Sequence, residues 1–359
     1  MTVYLLAGGG TAGHVNPLLA TADELRRAEP DATIIVLGTA EGLESRLVPA
    51  AGYELATIAK LPFPRGLSVA ALTYPFRLAR AVRTVRSLIR NRSVDVVVGF
   101  GGYASAPAYL AARLEKAPIV IHEANAIPGI ANKLGAAFSR FVGVTFAGTP
   151  IAHATTVGMP LRPEIATLDR VRVRPDARKF FGLDQRPVLL VTGGSTGAAR
   201  INGTILDSIA DITAAGWQVV HTVGETRDFV DPKIDGYHPL RYCDRMDFAL
   251  ATADVVVARA GSATVSELSG LGIPTVFVPY PVGNGEQAKN AADVVGAGGA
   301  VLCRDADFTP EYVRSTLIPL LKNNDAQRQM SQAAQSVGIR DGSSRLAALI
   351  HTALATSTA

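Results

Sequence analysis

The sequence predicts an α/β protein of two domains, each built around a parallel β-sheet. Short runs rich in valine and isoleucine alternate with longer helical patterns, which is typical of parallel sheets covered on both faces. The alternation occurs twice, and each half opens with a strand that runs into a glycine-rich turn and a helix, at Ala7–Pro17 and again at VTGGSTGAARIN. A chain of 359 residues also suits two domains better than one.

Five strands are predicted in each half. Those of the first half are Val3–Leu6, Thr33–Leu37, Val94–Val98, Ile119–His122 and Phe141–Val144, and the helices between them start near Val15, Glu41, Val69, Ser105 and Gly129. Those of the second half are Val188–Val191, Gln218–Thr222, Val255–Val257, Thr275–Val278 and Val301–Cys303. We expect domains over 1–160 and 161–341, because two prolines and a glycine interrupt the pattern at Val157–Pro163. The last helix, 342–356, is expected to pack back on the first domain.

Composition excludes several classes of protein. The chain is 48% hydrophobic and 18% charged, as globular proteins are. Its two cysteines, Cys243 and Cys303, form no C-x-x-C pair, which argues for a reducing compartment and against a zinc site or a disulfide framework. No secretory signal and no unbroken apolar span is visible. The formal net charge of +4 is modest, so the distribution of charge matters more than its total.

The first glycine-rich turn, AGGGTAGHVNP, predicts an anion site that carries a proton-transfer group. Backbone N–H groups at a helix N-terminus bind anions, and His14 can move protons near neutral pH. The alternative is an ordinary residue at the start of a helix. Gly8, Gly10 and Gly13 also satisfy the dinucleotide fingerprint G-x-G-x-x-G. That fingerprint needs an acid at the end of the second strand, and Glu41 lies several residues beyond it, so a nicotinamide cofactor is not expected.

Three stretches of the second half are candidate nucleotide-sugar contacts. Gly193-Gly194-Ser195 would hold a diphosphate, unless it is only a tight turn with a capping serine. In RAGSATVSE, the hydroxyls of Ser262 and Thr264 precede Glu267, whose carboxylate could bind a ribose diol; the alternative is a helix-capping pattern. In GNGEQAKN, the amides of Gln287 and Asn290 suit sugar hydroxyls, or merely a polar loop.

Two more strand ends of the first half carry polar side chains, in FGGY (100–103) and HEAN (122–125). Parallel strands place their carboxyl ends at one edge of a sheet, where ligands bind. We therefore expect Tyr103, His122, Glu123 and Asn125 near His14, with solvated turns as the alternative.

The stretch Leu61–Arg92 is predicted to contact an anionic membrane surface. No acidic residue occurs in 55–94, and at 100° per residue the helix separates an apolar arc from an arginine arc. The preceding loop adds apolar residues among cations, which suits a lipid surface. Nucleic acid is not expected, because aromatic residues are few and no recognition motif occurs. The plain alternative is a packed helix with a solvated face.

Together the motifs resemble one family. GGGTAGHVNP, GFGGYASAP, HEANAIPG, GGSTGAARIN and RAGSATVSELSGLGIP, followed by GNGEQAKNA, look like the MurG family of bacterial transferases, which make lipid II from lipid I with UDP-N-acetylglucosamine. The resemblance runs from Val3 to about Ala300. It implies a GT-B fold, in which two Rossmann-like domains face each other across a cleft. The donor would lie mainly on the second domain and the lipid acceptor mainly on the first.

The resemblance also implies roles for individual residues. Ser195, beside Gly194, would meet the diphosphate with Arg162 nearby, Glu267 would take the ribose, and the backbone near Cys243 would meet the uracil. Around the sugar we expect Thr11, Ala12, Gly13, Asn125 and Gln287, and Tyr103, Ser262, Ala263 and Thr264 are further substrate-binding candidates. Three positions depart from the family pattern: Ala12 for glycine, Met159 for asparagine and Glu286 for glutamine.

The reaction implied is transfer of N-acetylglucosamine to the C4 hydroxyl of the muramyl sugar on undecaprenyl diphosphate, with inversion. One direct displacement needs a base for the hydroxyl and a clamp for departing UDP. His14 is the predicted base and Glu123 the alternative. Neither an obligatory metal nor a cofactor is expected. The expected location is peripheral, at the cytoplasmic face of the cell membrane, in peptidoglycan synthesis. Two other functions stay open: a UDP-sugar epimerase on the same fold, and a non-catalytic nucleotide-sugar sensor.

Overall fold

A computed structural model describes residues 1–63, 69–194, 198–224 and 229–357. The chain forms two units, Met1–Arg162 with Asp341–Ala359, and Pro163–Arg340. Each unit holds a parallel sheet covered by helices, which confirms the predicted α/β class. Within the described ranges, no helix is long and apolar enough to span a bilayer.

The first unit contains a seven-stranded sheet in the order β3-β2-β1-β4-β5-β6-β7. Its strands are β1 (Val3–Ala7), β2 (Thr33–Thr39), β3 (Glu54–Ile58), β4 (Val96–Gly99), β5 (Ile119–Glu123), β6 (Phe141–Val144) and β7 (Ala154–Thr156). Its helices are α1 (Ala12–Ala28), α2 (Glu44–Ala50), α3 (Val69–Asn91), α4 (Ser105–Glu115), α5 (Ile130–Ala136) and, from the end of the chain, α16 (Gly342–Ser357). Because all strands are parallel, the ends of β1, β4 and β5 meet at one edge.

The core of the first unit lies on both faces of this sheet. On one face, the side chains of Leu5, Val97 and Ile121 pack with the apolar arc of α3, which includes Val82 and Val85. On the other face, Tyr4, Leu6 and Val98 pack with α1 and with residues of α16 such as Leu346 and Ile350. The final helix therefore belongs to the first unit and covers a face of its sheet.

The second unit contains a six-stranded sheet in the order β10-β9-β8-β11-β12-β13. Its strands are β8 (Val188–Thr192), β9 (Gln218–Thr222), β10 (Tyr237–Leu240), β11 (Val255–Ala258), β12 (Thr275–Phe277) and β13 (Ala300–Leu302). Its helices are α6 (Pro163–Ala166), α7 (Arg170–Phe181), α8 (Ala199–Ala214), α9 (Met246–Thr252), α10 (Ser262–Gly270), α11 (Glu286–Asn290), α12 (Ala292–Gly296), α13 (Pro310–Tyr312), α14 (Ile318–Leu321) and α15 (Asn324–Val337). A 3-10 turn at Asp305–Asp307 and a π-turn at Val313–Leu317 complete it.

The structure corrects the predicted elements in two ways. Three strands were missed, β3, β7 and β10, and all three lie at an edge of a sheet. An edge strand needs fewer apolar side chains, and β7 is exposed throughout while β10 contains a proline. The first two helices also begin elsewhere than predicted, at Ala12 rather than near Val15 and at Glu44 rather than near Glu41.

Candidate active site

The turn between β1 and α1 presents His14 at the carboxyl edge of the first sheet. Thr11 has extended backbone and precedes the helix, and its carbonyl accepts the N–H of His14 at 3.1 Å. The Thr11 hydroxyl lies 3.2 Å from Nδ1 of the same ring. Ala12 and Gly13 form the first turn of α1. The sequence predicted Thr11–His14 in a turn before the helix, whereas Ala12, Gly13 and His14 already belong to α1. The structure adds a hydroxyl contact from Thr11 that orients the imidazole.

The His14 ring lies against the backbone of the loop that follows β4. A Cβ atom on Gly101 would lie only 3.1 Å from Nε2 of His14, and the φ of Gly101 is +90°. Glycine is therefore required there both by space and by backbone conformation. Burial lowers the pKa of His14, against smaller opposing effects of the Gly9 carbonyl and Glu44. A lowered pKa keeps the imidazole neutral near pH 7, which is the form a general base needs.

The predicted anion site in this turn is already occupied by a side chain of the protein. Oε2 of Glu44 accepts the N–H of Gly10 at 2.8 Å. Sequence reasoning considered Glu41 and missed Glu44, three residues further on, because spacing does not reveal that a side chain turns inward. The turn therefore positions His14. Its Gly10 N–H is already bound to an anionic group of the protein, the Glu44 carboxylate.

Glu123 ends β5 and is almost completely buried. Oε1 accepts the N–H of Asn125 at 2.9 Å, and Oε2 accepts from the N–H of Gly129 and the side-chain amide of Asn132, both at 2.9 Å. Three donors fix this carboxylate and shape the loop between β5 and α5. The arrangement favours a structural role over the alternative role of base. The neighbouring His122 was expected at the edge, but it is buried, and Nε2 lies 3.1 Å from the carbonyl of Gly158.

The other predicted residues of the first unit lie at or near the same edge. Tyr103 is 37% exposed, and its ring borders Gly10, where a Cβ atom would be 3.8 Å away. The ammonium of Lys60 lies 5.5 Å from the centre of the Tyr103 ring. Asn125 is half-buried in the loop after β5, and Arg162 is half-buried as the last residue before the second unit.

In the second unit an open cavity of about 1100 Å³ lies at the carboxyl edge of the sheet. It is bordered by Gly194, which follows β8 and has a φ of +89°, and by Thr264 and Gln287 from two other strand–helix connections. Ser195, the predicted diphosphate contact, lies outside the described residues. Three of the predicted connections therefore meet at one cavity large enough for a nucleotide sugar.

Sequence reasoning missed an ion-pair network in this cavity. Arg259 follows β11, and its guanidinium donates to Asp305 at 2.5 Å and to the carbonyls of Val278 and Pro279 at 2.9 and 3.1 Å. The Arg259 and Asp305 side chains are 11% and 14% exposed. Arg200, from the first turn of α8, lies 3.9 Å from the same carboxylate. The position of Arg259 in the sequence could have indicated this network, because Arg259 is the first polar residue after a buried strand.

Four other predicted residues of the second unit, three on α10 and one in the segment before α9, do not border the cavity. Ser262 is buried at the start of α10, and Ala263 and Glu267 are half-buried on that helix. Cys243 is buried in the segment between β10 and α9. Gln287 does border the cavity, but its side-chain oxygen accepts the N–H of Tyr280 at 2.9 Å, so part of its hydrogen-bonding capacity shapes its own loop.

Fewer residues of the predicted membrane surface are exposed and free of acidic partners, among the described residues, than the sequence suggested. Leu61 is buried, and 64–68 lie outside the described residues. Arg86 and Arg90 each pair with Glu115 at 2.6 Å, and Arg92 pairs with Glu54. What stays exposed is a set of three large apolar side chains, Phe63, Leu72 and Phe76, together with three arginines that have no acidic partner in the part of the chain that the structure describes, Arg77, Arg80 and Arg83. Arg77 donates to the carbonyl of Lys60 at 2.9 Å.

Comparisons with known protein families match each of the two units to a glycosyltransferase domain. Residues 4–144 match the glycosyltransferase family 28 N-terminal domain, and residues 188–346 match the glycosyltransferase family 28 C-terminal domain. These ranges include the His14 turn in the first unit and the cavity in the second.

Curated relatives match over nearly the whole chain. A UDP-N-acetylglucosamine–N-acetylmuramyl-(pentapeptide) pyrophosphoryl-undecaprenol N-acetylglucosamine transferase of Clavibacter michiganensis subsp. michiganensis is 59% identical over 357 residues, which covers 99% of this chain and 97% of the relative. A protein of the same name from Streptomyces coelicolor is 46% identical over 356 residues, and 98% of each chain is covered.

Two solved structures are similar in fold. The crystal structure of Acinetobacter baumannii MurG has a TM-score of 0.80 at 27% identity and covers 98% of this chain and 100% of its own. A UDP-GlcNAc 2-epimerase of Neisseria meningitidis, bound to UDP-GlcNAc, has a TM-score of 0.71 at 13% identity, with 98% and 100% covered. At 13% identity the likeness to the epimerase concerns the fold alone, and together with the MurG structure it fits the predicted GT-B class.

Proposed function

The chain belongs to the family of UDP-N-acetylglucosamine–N-acetylmuramyl-(pentapeptide) pyrophosphoryl-undecaprenol N-acetylglucosamine transferases, and from that premise we propose how its residues carry out the transfer. It is a glycosyltransferase of peptidoglycan synthesis that uses UDP-N-acetylglucosamine. The sugar is transferred to the C4 hydroxyl of the muramyl residue on undecaprenyl diphosphate, which converts lipid I to lipid II. Identity of 59% over 99% of the chain is the observation that carries this assignment.

One assay tests the assignment against its alternatives. The protein is incubated with UDP-N-acetylglucosamine, with and without a short-chain lipid I analogue. Products are followed by mass spectrometry, and NMR of the donor sugar detects an epimer, which has the same mass. Transfer predicts a disaccharide product and one UDP for each acceptor consumed. An epimerase would instead change the donor sugar without any acceptor, and a sensor would leave both substrates unchanged. Either of those results would overturn the proposal.

His14 is the proposed general base. Its position at the edge of the sheet, the Thr11 hydroxyl 3.2 Å from Nδ1 and the lowered pKa all suit a neutral imidazole that accepts the proton of the acceptor hydroxyl. The hydroxyl oxygen then forms a bond to the anomeric carbon while the bond to UDP breaks, and inversion follows from a single displacement. Glu123 is less suited to this step, since three hydrogen bonds hold its carboxylate inside the loop.

The second unit is proposed to hold UDP. Gly194 and Ser195 would bind the diphosphate at the N-terminal end of α8, where backbone N–H groups and the helix dipole stabilise the charge of the leaving group. Arg162 would add a positive charge. Glu267 would bind the ribose, and the backbone near Cys243 would meet the uracil. Further contacts are assigned to a set of small and hydroxyl-bearing residues on α10: Ser262, Ala263 and Thr264.

Sugar contacts are proposed in each unit. Gln287 in the second unit borders the cavity, and its amide NH₂ remains able to donate while its oxygen accepts from Tyr280. In the first unit the candidates are residues of the His14 turn and of the two neighbouring loops: Thr11, Ala12, Gly13, Tyr103 and Asn125. The resemblance to the family supports these positions.

We further propose that the first unit docks on the cytoplasmic face of the cell membrane, where the lipid-linked acceptor resides. The support is the exposed set Phe63, Leu72 and Phe76, of which the last two are 78% and 79% exposed, beside the exposed Arg80 and Arg83. Apolar side chains among cations favour an anionic lipid surface. The attachment would be peripheral.

A further inference from the structure

Glu44 is a fully buried carboxylate at the first position of α2. Oε1 accepts from the N–H and the hydroxyl of Thr39, both at 2.8 Å, and Oε2 accepts from the N–H of Gly10 at 2.8 Å. It therefore joins the end of β2 and the beginning of α2 to the turn that carries His14. An ionised carboxylate is costly to bury unless it accepts hydrogen bonds, and this one accepts three.

The surrounding backbone is shaped to fit this carboxylate. A Cβ atom on Gly9, Gly38 or Gly42 would collide with the side chain of Glu44. Gly10, which donates to the carboxylate, has a φ of +89°. Three glycines from two strand ends and the following loop thus leave a space that the carboxylate fills, so no separate anion has room beside the N–H of Gly10.

The charge of Glu44 persists at neutral pH. Burial raises the pKa of Glu44, but hydrogen bonds from the backbone and from Thr39 outweigh burial, so the pKa lies below its ordinary value. Its negative charge acts on His14, where it raises the pKa against the larger lowering caused by burial.

We propose that Glu44 is a positioning residue, an internal anion that fixes the Gly8–His14 turn and closes that turn to the phosphates of a nucleotide. The glycine fingerprint of the first unit then holds the carboxylate of the chain itself where a dinucleotide-binding protein would hold a diphosphate. This assigns the diphosphate of UDP to the second unit. The effect on turnover rests on the proposed function, because it takes His14 to be the base.

The turn is held from the opposite side by the loop after β4. A Cβ atom on Gly102 would come within 2.5 Å of the carbonyl oxygen of Gly9, and the φ of Gly102 is +77°. The turn therefore lies between the Glu44 carboxylate and the Gly101–Gly102 backbone. If the negative charge of Glu44 is removed, the N–H of Gly10 loses its acceptor. The turn that carries His14 is then held only by the Gly101–Gly102 backbone.

Other titratable groups near His14 do not replace this charge. Burial lowers the pKa of His122, on β5, to about 4, so that ring is neutral at the pH of an assay. Tyr103 borders Gly10 from the loop after β4, and Lys60 lies over the ring of Tyr103. Glu123, from the end of β5, is held by its own loop. Glu44 thus supplies the negative charge that acts on the imidazole.

The test uses Glu44→Gln, which keeps the shape of the side chain but removes the charge and turns one acceptor into a donor facing Gly10. Exposed Glu41→Gln, in the same segment, is the matched control. We expect kcat to fall at least about tenfold, as expected for loss of a charge-assisted hydrogen bond. The Kd of UDP by calorimetry should be unchanged, since the turn would not hold the diphosphate. Glu41→Gln should behave like the parent.

The pKa of His14, measured by NMR on selectively labelled, unliganded protein, is the readout that a merely structural role would not move. Because Glu44 raises this pKa, Glu44→Gln should lower it, and the acid limb of the kcat/KM profile should shift to lower pH. If Glu44→Gln leaves both the pKa of His14 and kcat unchanged, the inference is overturned. A higher Kd for UDP in this variant would also overturn it. The NMR measurement needs no turnover. It therefore tests the effect of Glu44 on His14 even if His14 is not the base.

Thr39→Val provides a second variant, in case Glu44→Gln does not fold. It removes one donor to Oε1 of Glu44 and leaves both charge and backbone in place. We expect the pKa of Glu44 to rise, so kcat should fall more at acid pH than at neutral pH. Equal kcat losses at both pH values would contradict the proposed role of the charge.

Discussion

Asn132 donates its side-chain amide to Oε2 of Glu123 at 2.9 Å, and the same amide also donates to the carbonyl of His122 at 3.1 Å. The oxygen of that amide accepts from the hydroxyl of Tyr109 at 2.8 Å. Glu123 is thus one part of a buried network that ties α4 and α5 to the end of β5. A carboxylate held in this way stabilises a loop and is poorly free to accept a proton from a substrate.

The first prediction concerns Glu123→Gln. The substitution puts an amide NH₂ opposite groups that already donate, so we expect a loss of about 1–3 kcal/mol in the free energy of unfolding. Turnover of the folded protein should stay within a fewfold of the parent. Urea denaturation and steady-state kinetics measure the two effects. Loss of turnover beyond about a hundredfold at unchanged stability would identify Glu123 as the base.

The second prediction concerns His14→Ala. Removal of a general base typically lowers turnover by about 10²–10⁴-fold. The affinity for UDP, measured by calorimetry, should be nearly unchanged, because UDP is proposed to bind the second unit. In the parent, kcat/KM should fall with decreasing pH only below the ordinary imidazole pKa, since burial lowers the pKa of His14. Turnover within a fewfold of the parent would contradict the assignment.

The third prediction concerns Glu267→Ala. If its carboxylate binds the ribose diol, the lost charged hydrogen bonds should raise the Kd of UDP by about tenfold or more. Glu311→Ala, an acid in the same unit with a 75% exposed side chain, is the matched control and should leave the Kd unchanged. Equal UDP affinities of the parent and Glu267→Ala would contradict the proposed ribose contact.

The fourth prediction concerns stability at acid pH. Burial lowers the pKa of His122 to about 4 and that of His221 to about 3, whereas both would titrate near 6.5 when unfolded. Between these values the unfolded state binds more protons, so stability falls as pH decreases from about 6.5. Each histidine should contribute about 1.4 kcal/mol per pH unit in that window. His221→Gln should therefore reduce the slope of unfolding free energy against pH between 6 and 4, and an unchanged slope would contradict the predicted burial effect.

The sequence predicted the interior strands and the turns between them because both have a local chemical signature. Short runs rich in valine, isoleucine and leucine marked β1, β4 and β5, and glycines marked the turn that opens each unit. Three of the four edge strands, β3, β7 and β10, lacked that signature, since one side of such a strand needs no apolar cover. Periodicity also identified the buried arc of α3, where Val82, Val85 and Ile89 lie in the core.

What the sequence could not predict was the direction in which polar side chains turn. Glu44 and Asp305 both lie beyond a strand end, as functional residues do, but both point inward to bind groups of the protein itself. Arg86 and Arg90 fell on the predicted cationic arc, yet both pair with Glu115, which comes from another helix. Such pairings depend on which elements become neighbours, and spacing along the chain does not contain that information.

The last prediction concerns membrane docking. A variant with Leu72→Ser, Phe76→Ser, Arg80→Glu and Arg83→Glu removes two exposed apolar and two exposed cationic side chains of α3 while leaving its buried arc intact. Each basic residue near an anionic surface contributes about 1 kcal/mol. Loss of two should weaken binding to anionic vesicles by about thirtyfold, before the apolar loss and the added negative charge are counted. Vesicle sedimentation measures this effect.

The matched control changes the same residue classes on α7 of the second unit: Val171→Ser, Phe180→Ser, Arg172→Glu and Lys179→Glu. Val171 and Phe180 are 86% and 58% exposed, so the control removes comparable exposed apolar surface and the same charge. It should pellet with vesicles like the parent. Both variants should keep activity on a water-soluble acceptor, because neither touches the proposed site. High salt should weaken parental binding only in part, since screening acts on the charges and spares the apolar contact. If the α3 variant pellets like the parent, docking does not use this surface. The same conclusion follows if the α7 control loses vesicle binding to the same extent as the α3 variant.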